Sequence, residues 1–307
     1  MPDAGTDPSA VQRPPRRRLR WTPLDTVLVL LLAGAAGALL WRADAVFHYR
    51  WDWKTVWPFI VRFDAASGRW VGNLLLDGLL TTLRLAVWGI LAAGVIGTVM
   101  GLARVSRWRL PRLVAGAYVM LVRNIPPIVF VFVFVFFIAS QVMPALAVGS
   151  RVATLPPALQ AVLAAAFGPA RLLDNFLLGL ICLSVFSGAY VTEIVRAGLQ
   201  SVPRAQVEAA DSLGFTPADR LRFIVLPQAL RNVLPPMAGQ FIQLIKDSSL
   251  VSLVSIQELS FAAQDVQVTT QRVFEVFVLA GAVYFVICFA LSRLFAHLEQ
   301  RAARAHR

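Results

Sequence analysis

Residues 203–227 read P-R-A-Q-V-E-A-A-D-S-L-G-F-T-P-A-D-R-L-R-F-I-V-L-P, a polar and charged stretch set between long apolar segments. Its position and composition predict a structured loop at a membrane face rather than a span. Two short helices can be read in it. Pro203 suits a first helical turn, where its missing N–H costs nothing, and the helix runs through Glu208, Ala209 and Ala210 to Leu213. Gly214 stops it, because glycine takes the positive φ that a helix-ending turn asks for. Thr216, Pro217 and Asp219 open the second helix in capping-box order, with a hydroxyl at the cap, proline at the first position and a carboxylate at the third. Leu226-Pro227 is predicted to end it.

The rest of the chain is written for lipid. With 58% hydrophobic and 15% charged residues over 307 positions, and a mean hydropathy of +0.67, it departs far from soluble usage and reads as an all-α integral membrane protein. A net charge of +12 would suit nucleic-acid binding, but the basic residues cluster at the ends of apolar runs, where the positive-inside bias accounts for them. No nucleic-acid partner is expected. Cys182 and Cys288 lie in apolar segments without a metal-like spacing and read as small buried hydrophobes.

Residues 1–20 are rich in proline and arginine, lack an apolar face, and predict a disordered basic tail on the cytoplasmic side. Residues 21–71 add a first span and an outer segment. Leu24 to Leu40 reads either as a retained signal anchor or as a cleaved signal with Ala43-Asp44-Ala45 as its small-residue site; its length and the membrane character of the downstream domain favour the anchor. Val46 to Arg69 mixes Trp51, Trp53, Trp57 and Phe59 with charges of both signs, as an interfacial segment or a plain surface loop would. Leu79 to Leu102 is a span with Gly94, Gly97 and Gly101 spaced for close helix approach, and Arg84 early enough to snorkel outward. Arg104, Arg107, Arg109 and Arg112 come next without an acid and place the adjoining loop in the cytoplasm.

Leu113 to Gln141 is one apolar passage broken at Arg123-Asn124-Ile125-Pro126-Pro127, and lipid tolerates such a break only where protein or a wet cavity satisfies the freed carbonyls. The V-F-V-F alternation after it mimics a strand, but no barrel is available, so helix is predicted. Met143 to Asn175 reads as a long outer loop and Phe176 to Leu199 as the next span, with Glu193 and Arg196 placed at i and i+3 to pair near its cytoplasmic end. Leu230 to Ser255 climbs back through Pro235-Pro236, Gln257 to Arg272 forms a polar outer loop, and Phe274 to Phe295 returns to a basic tail with Arg301, Arg304 and Arg307. A six-span helical bundle with both termini cytoplasmic results.

Glu208-Ala209-Ala210, three residues, Gly214, nine residues, Ile224, one residue, then Leu226-Pro227 resembles the complete EAA loop of permease subunits of bacterial ATP-binding-cassette importers. An ordinary helix-turn-helix connector would also carry small alanines and a glycine stop; the complete motif decides against it. The flanks S-G-A-Y-V-T-E-I-V-R-A-G-L-Q-S-V-P, L-P-Q-A-L-R-N-V-L-P-P and K-D-S-S-L-V-S resemble the polar amino-acid branch of that family, and the resemblance covers residues 72–300. It implies a five-span type I importer (MetI-like) core in the bacterial inner membrane, with the first span an addition and residues 301–307 a cytoplasmic tail. It also implies partners: an ATPase subunit whose cleft receives the loop, a second permease chain, same or related, and a periplasmic amino-acid-binding protein. Glu208, Ala209, Ala210 and Gly214 would form the docking surface, and Ile224, Leu226 and Pro227 would anchor the loop to the bundle. Alternating access, powered by the separate ATPase, would carry polar or general amino acids inward.

The chain itself offers no catalytic machinery, and no cofactor is expected. Neither Lys54 nor Lys246 is preceded by glycine, so there is no phosphate loop, and His48, His297 and His306 lie outside the spans or at their ends, where neither a serine protease nor a metal site could use them. An ion-driven secondary transporter or channel would use the broken helices equally well, but has no need of an ATPase-docking loop. Lys246, Asp247, Ser248 and Ser249, with Asn124 opposite, are candidates for the pathway, since ionisable groups at depth face a cavity or each other. A mutually neutralising structural pair accounts for Lys246 and Asp247 equally well.

Overall fold

The computed structural model describes residues 22–47, 49–65 and 68–304, so the basic tail of residues 1–20 and His48 and His306 lie outside the described residues. The chain divides into two units, Met1–Trp51 and Asp52–Arg307. The first holds α1 (Pro23–Phe47), which runs past the predicted end at Leu40. Thr22 and Asp25 cap it reciprocally: the Thr22 N–H and hydroxyl donate to Asp25 Oδ2 at 2.7 and 2.8 Å, and the Asp25 N–H donates back to Thr22 Oγ1.

The second unit opens with a helical turn at Trp53–Val56 and an antiparallel hairpin of β1 (Val61–Asp64) and β2 (Arg69–Gly72), with Val61 opposite Gly72. The predicted interfacial segment is therefore a small folded cap. Val56 is buried in it against Leu75, Leu259 and Val276, while Trp53, Trp57 and Trp70 stay exposed.

Helix α2 (Leu74–Arg104) is the central rod. Its small residues let neighbours close in on several faces. A Cβ placed on Gly97 would lie 2.5 Å from Val191 Cβ, and one on Gly101 2.7 Å from Val195 Cγ1, so this stripe seats α8 (Leu173–Gln200). Gly78 meets Ala262 in the same way, whereas Gly94 faces open space.

Helix α3 (Arg109–Asn124) ends at a corner, and α4 (Pro127–Val133) leaves it at 113°. Two successive pre-proline residues, Ile125 and Pro126, are held extended at ψ 135° and 136°, because a following proline ring disfavours the helical region. The predicted single passage is thus a sharp elbow. The V-F-V-F run beyond it is helical, with a wide six-residue turn at Phe134–Ala139 leading into α5 (Ser140–Leu146).

The predicted outer loop of residues 143–175 is largely helical, with α6 (Val148–Ala153) and α7 (Pro157–Phe167). Arg84 does not simply snorkel outward: its Nε donates to the Ala165 carbonyl at 3.1 Å, and Trp88 Nε1 donates to that of Ala166 at 3.0 Å. Together they cap the C-terminal end of α7, where a helix's unsatisfied carbonyls attract donors and positive charge.

After α9 (Arg204–Ser212), α10 (Leu226–Asp247) contains Pro235 and Pro236 and runs on as a 3-10 segment, Ser248–Val254. The polar outer loop expected at residues 257–272 is instead α11 (Leu259–Thr270), whose Leu259, Ala262, Ala263 and Val266 are buried at helical spacing. Glu258 caps it from a fully buried position, accepting from Phe261 N at 2.9 Å, Tyr284 OH at 2.6 Å and Thr82 Oγ1 at 3.2 Å. It thereby ties α2 and α11 to α12 (Val273–Arg304).

Among the described residues, α2, α8 and α12 are each long and apolar enough to cross a bilayer, and α3 with its continuation makes a fourth if the elbow is counted as one span. The two other predicted crossings fall on α1 and on α10, whose polar face lowers its apolarity.

Candidate functional site: the polar loop and the cavity beside it

The loop folds from local rules. Helix α9 ends after Ser212, Gly214 takes φ +78°, and the N–H groups of Gly214 and Phe215 return to the carbonyls of Asp211 and Ala210, each at 3.1 Å. Thr216 Oγ1 accepts from Asp219 N at 3.2 Å and donates to Asp219 Oδ2 at 2.6 Å. The second helix does not stop at Leu226-Pro227. A wide turn over Arg220–Val225 carries it into α10, with Pro227 at the start of that helix. Proline lacks the N–H for the regular ladder, and a local change of pitch just before it absorbs the loss.

Arg220 braces the loop from within, its Nη1 meeting both carboxylate oxygens of Asp211 at 2.5 and 2.7 Å. Gln228 reaches the Ile224 carbonyl at 2.9 Å and the Gln206 side chain, and Asn232 Nδ2 donates to Ser201 Oγ at 2.7 Å. These polar contacts tie the loop to the ends of α8 and α10. Of the residues expected to anchor it, Ile224 is half-buried, while Leu226 and Pro227 are exposed. On the outer surface Glu208, Ala209 and Gly214 are exposed and Ala210 is buried. Asp211, not Glu208, makes the internal ion pair, and Leu213 at the tip is 77% exposed.

Beside the loop lies a cavity of about 500 Å³, walled by Arg123 from α3, by Tyr190 and Glu193 from α8 and Ser201 just past its end, and by Asn232 and Gln240 from α10. Glu193 makes the predicted pair with Arg196 at 2.7 Å, and a second one, with Arg104 of α2 at 3.4 Å. The Arg123 guanidinium stands 5.1 Å from the centre of the Tyr190 ring.

The predicted pathway residues lie elsewhere. Asn124 is exposed and its amide donates to the Met120 carbonyl at 2.7 Å. Lys246 is exposed; Asp247 is half-buried and accepts from Gln243 at 2.8 Å. Ser248 and Ser249 turn back to the carbonyls of Ile245 and Lys246, each at 2.7 Å. Among the described residues no hydrogen bond or ion pair joins Asn124 to this group, and none of the five walls the cavity. The cavity's own residues carry a readable signal: Asn232, Pro236 and Gln240 recur every fourth position on α10, and Tyr190, Glu193 and Ala197 share one face of α8 that continues to Ser201 just past its end.

The family model described as the binding-protein-dependent transport system inner membrane component matches residues 86–304. The chain is 30% identical over 234 residues to the probable glutamine ABC transporter permease protein GlnM of Bacillus subtilis strain 168, covering 76% of this chain and 95% of that one. To the glutamate/aspartate import permease protein GltK of Escherichia coli O157:H7 it is 31% identical over 255 residues, 83% of this chain and 100% of that one. A solved structure described as an amino acid ABC transporter with histidines superposes with a TM-score of 0.60 at 30% identity, covering 74% of this chain and 94% of the other. With the match running through the loop, the cavity walls and the elbow alike, the chain belongs to the family of binding-protein-dependent transport system inner membrane components.

Proposed function

We propose that the chain is a membrane-spanning subunit of an ATP-driven importer of polar amino acids, moving them inward by alternating access. The observation that carries this is the loop: it is braced internally by Arg220 and Asp211, yet presents Glu208 and Leu213 outward. An internally braced, exposed knob that presents acids together with large apolar side chains, Leu213 at its tip among them, suits a partner's cleft. That partner is a separate ATPase subunit, so the chain itself hydrolyses nothing. The substrate class is supported by relatives described as glutamine and glutamate/aspartate permeases.

The cavity is the inner part of the path, and Asn124 with Lys246, Asp247, Ser248 and Ser249 belongs to its farther part. A second permease chain faces these walls and a periplasmic binding protein delivers the cargo. The arginines of residues 104–112 and of the C-terminal tail support a cytoplasmic side for both termini and the loop.

Gly214→Val tests the docking reading. Gly214 sits at φ +78°, where a β-branched residue is strained. The variant is expected to reach the membrane, to lose the ATPase on co-purification, and to lose amino-acid-stimulated hydrolysis when the binding protein is supplied. A variant that keeps ATPase binding and stimulated hydrolysis would show that docking does not depend on this turn.

A further inference from the structure

We propose that Arg123, positioned by Tyr190, is the carboxylate anchor of the cavity: it takes the α-carboxylate of the amino acid in transit, and so reads the part common to all amino acids rather than the side chain. This rests on the cavity being the inner part of the path.

The charges around the cavity are unequally engaged. Glu193 is an acid in the cavity wall, and two arginines from behind, Arg104 and Arg196, hold it at 3.4 and 2.7 Å. Its charge is more than balanced, which leaves it little pull on a third cation. Arg123 lines the same cavity, yet no acid among the described residues lies within ion-pair distance of it. Its guanidinium rests instead against the ring of Tyr190, one helical turn from Glu193. An aromatic face attracts a guanidinium and fixes its place while leaving its in-plane N–H donors available for a planar, two-oxygen partner.

Backbone geometry fixes it further. Arg123 is in the last turn of α3, immediately before the doubly extended Ile125-Pro126 corner, so the side chain is delivered from the 113° elbow. The remaining walls are small or uncharged, including Gly198, Ser201, Asn232 and Gln240, and the uncompensated charge facing the space is positive. At about 500 Å³ the space suits one small ligand. A carboxylate is the group this arrangement favours, and every amino acid has one. The other carboxylate that could reach Arg123 belongs to the second permease chain.

The test uses the complete importer in lipid nanodiscs, with Cys182 and Cys288 replaced by alanine and Ala197→Cys placed in the cavity wall. Labelling of that thiol by a small aqueous reagent is measured with each common amino acid present. The best protector is then compared with its own carboxamide, which keeps the side chain and the ammonium group but lacks the carboxylate. With Arg123 intact the carboxamide should need about 10- to 100-fold higher concentration to protect, the range of a hydrogen bond to a charged group. In Arg123→Gln the amino acid should weaken by a similar factor and the preference over the carboxamide should vanish, while Arg123→Lys should keep part of it.

If Arg123→Gln protects as well as the native chain and still prefers the acid, the anchor is another residue although the cavity remains the path. If no amino acid protects the thiol in any nucleotide state, the cavity is not the path and the underlying reading fails. If Arg123→Gln instead makes the permease pair fall apart on size-exclusion chromatography, its partner is a carboxylate of the second chain, and the proposal is overturned.

Discussion

Gly97→Ala probes the seam on which the bundle is built, and Gly94→Ala, on the same helix, is its internal control. A Cβ at Gly97 would stand 2.5 Å from Val191 Cβ and 3.0 Å from the backbone nitrogen of Thr192. Carbon atoms prefer about 3.5–4.0 Å, so the overlap is about 1 Å. Val191 Cβ is fixed to its own backbone and cannot rotate away, so α2 and α8 must move apart. Overpacking of this kind costs about 1–3 kcal/mol. Against it stands the gain of alanine over glycine inside a helix, about 0.5–1 kcal/mol. At Gly94 nothing lies within 4 Å of the added carbon, so that gain is all that remains. Gly97→Ala should therefore destabilise while Gly94→Ala is neutral or stabilising, the two differing by about 1–3 kcal/mol. Unfolding in mixed detergent micelles would read the difference. Val191→Gly should cost stability alone, yet less in the Gly97→Ala background, because it reopens the space the new methyl needs; the coupling should be about 1 kcal/mol. Equal stability of the two alanine variants, or strict additivity in the double variant, would refute the close approach.

Glu258→Gln should cost about 1–3 kcal/mol, because three donors converge on the carboxylate and an amide offers one acceptor oxygen where there were two. Burial also pushes the Glu258 carboxyl above its ordinary 4.5; the stability linked to that shift is fully present below pH 4.5 and is lost as the pH rises through the raised value, so the glutamine variant should show a flatter stability profile over that window. Arg84→Ala with Trp88→Phe removes both donors from the end of α7, and should speed proteolysis and hydrogen exchange across residues 157–167 while leaving the α2–α8 seam protected. Unchanged exchange there would mean that α7 is held by something other than this cap.

The parts of the fold that are legible in the sequence are those fixed by neighbours in the chain. Thr216, Pro217, Asp219 and Gly214 adopt the cap and the turn that their chemistry prescribes, because the relevant bonds close over three to five residues. The glycine stripe announces a close helix contact, but not which glycines make it: Gly97 and Gly101 meet valines and Gly94 meets nothing, a distinction set by the partner helix. Pro227 reads as a stop because a proline ends most helices; the wide turn at Arg220–Val225 instead lets the chain run on. At α11 the signal is present but outweighed. Leu259, Ala262, Ala263 and Val266 recur at helical spacing, yet Gln264 and Asp265 among them and Gln257, Gln267 and Gln271 around them give the segment the look of a loop. Arg123 and Tyr190 come from helices far apart in sequence, and only tertiary packing brings them together.

The two main walls of the cavity are built to different stiffness, and the sequence places the difference. Helix α8 is pressed into α2 along Gly97 and Gly101, a regular helix whose displacement would break a packed seam. Helix α10 has a wide turn immediately before it, Pro235-Pro236 inside it and a 3-10 segment after it, and each is a place where the regular ladder is interrupted and bending is cheap. The end of α10 nearest the loop is locked to the end of α8 and to α9: a Cβ on Gly198 would collide with Val233, Asn232 bonds Ser201, and Gln228 bonds Gln206 of α9. The proline pair comes directly after that lock. A push on the loop is therefore carried as one block through Gln228, Asn232 and Val233 and meets its first compliant point at Pro235-Pro236, where Pro236 and then Gln240 line the cavity. If the loop is pushed by a partner, as proposed, the walls beside Arg123 lie where that rigid block gives way to the interrupted part of α10, and would be the first to move.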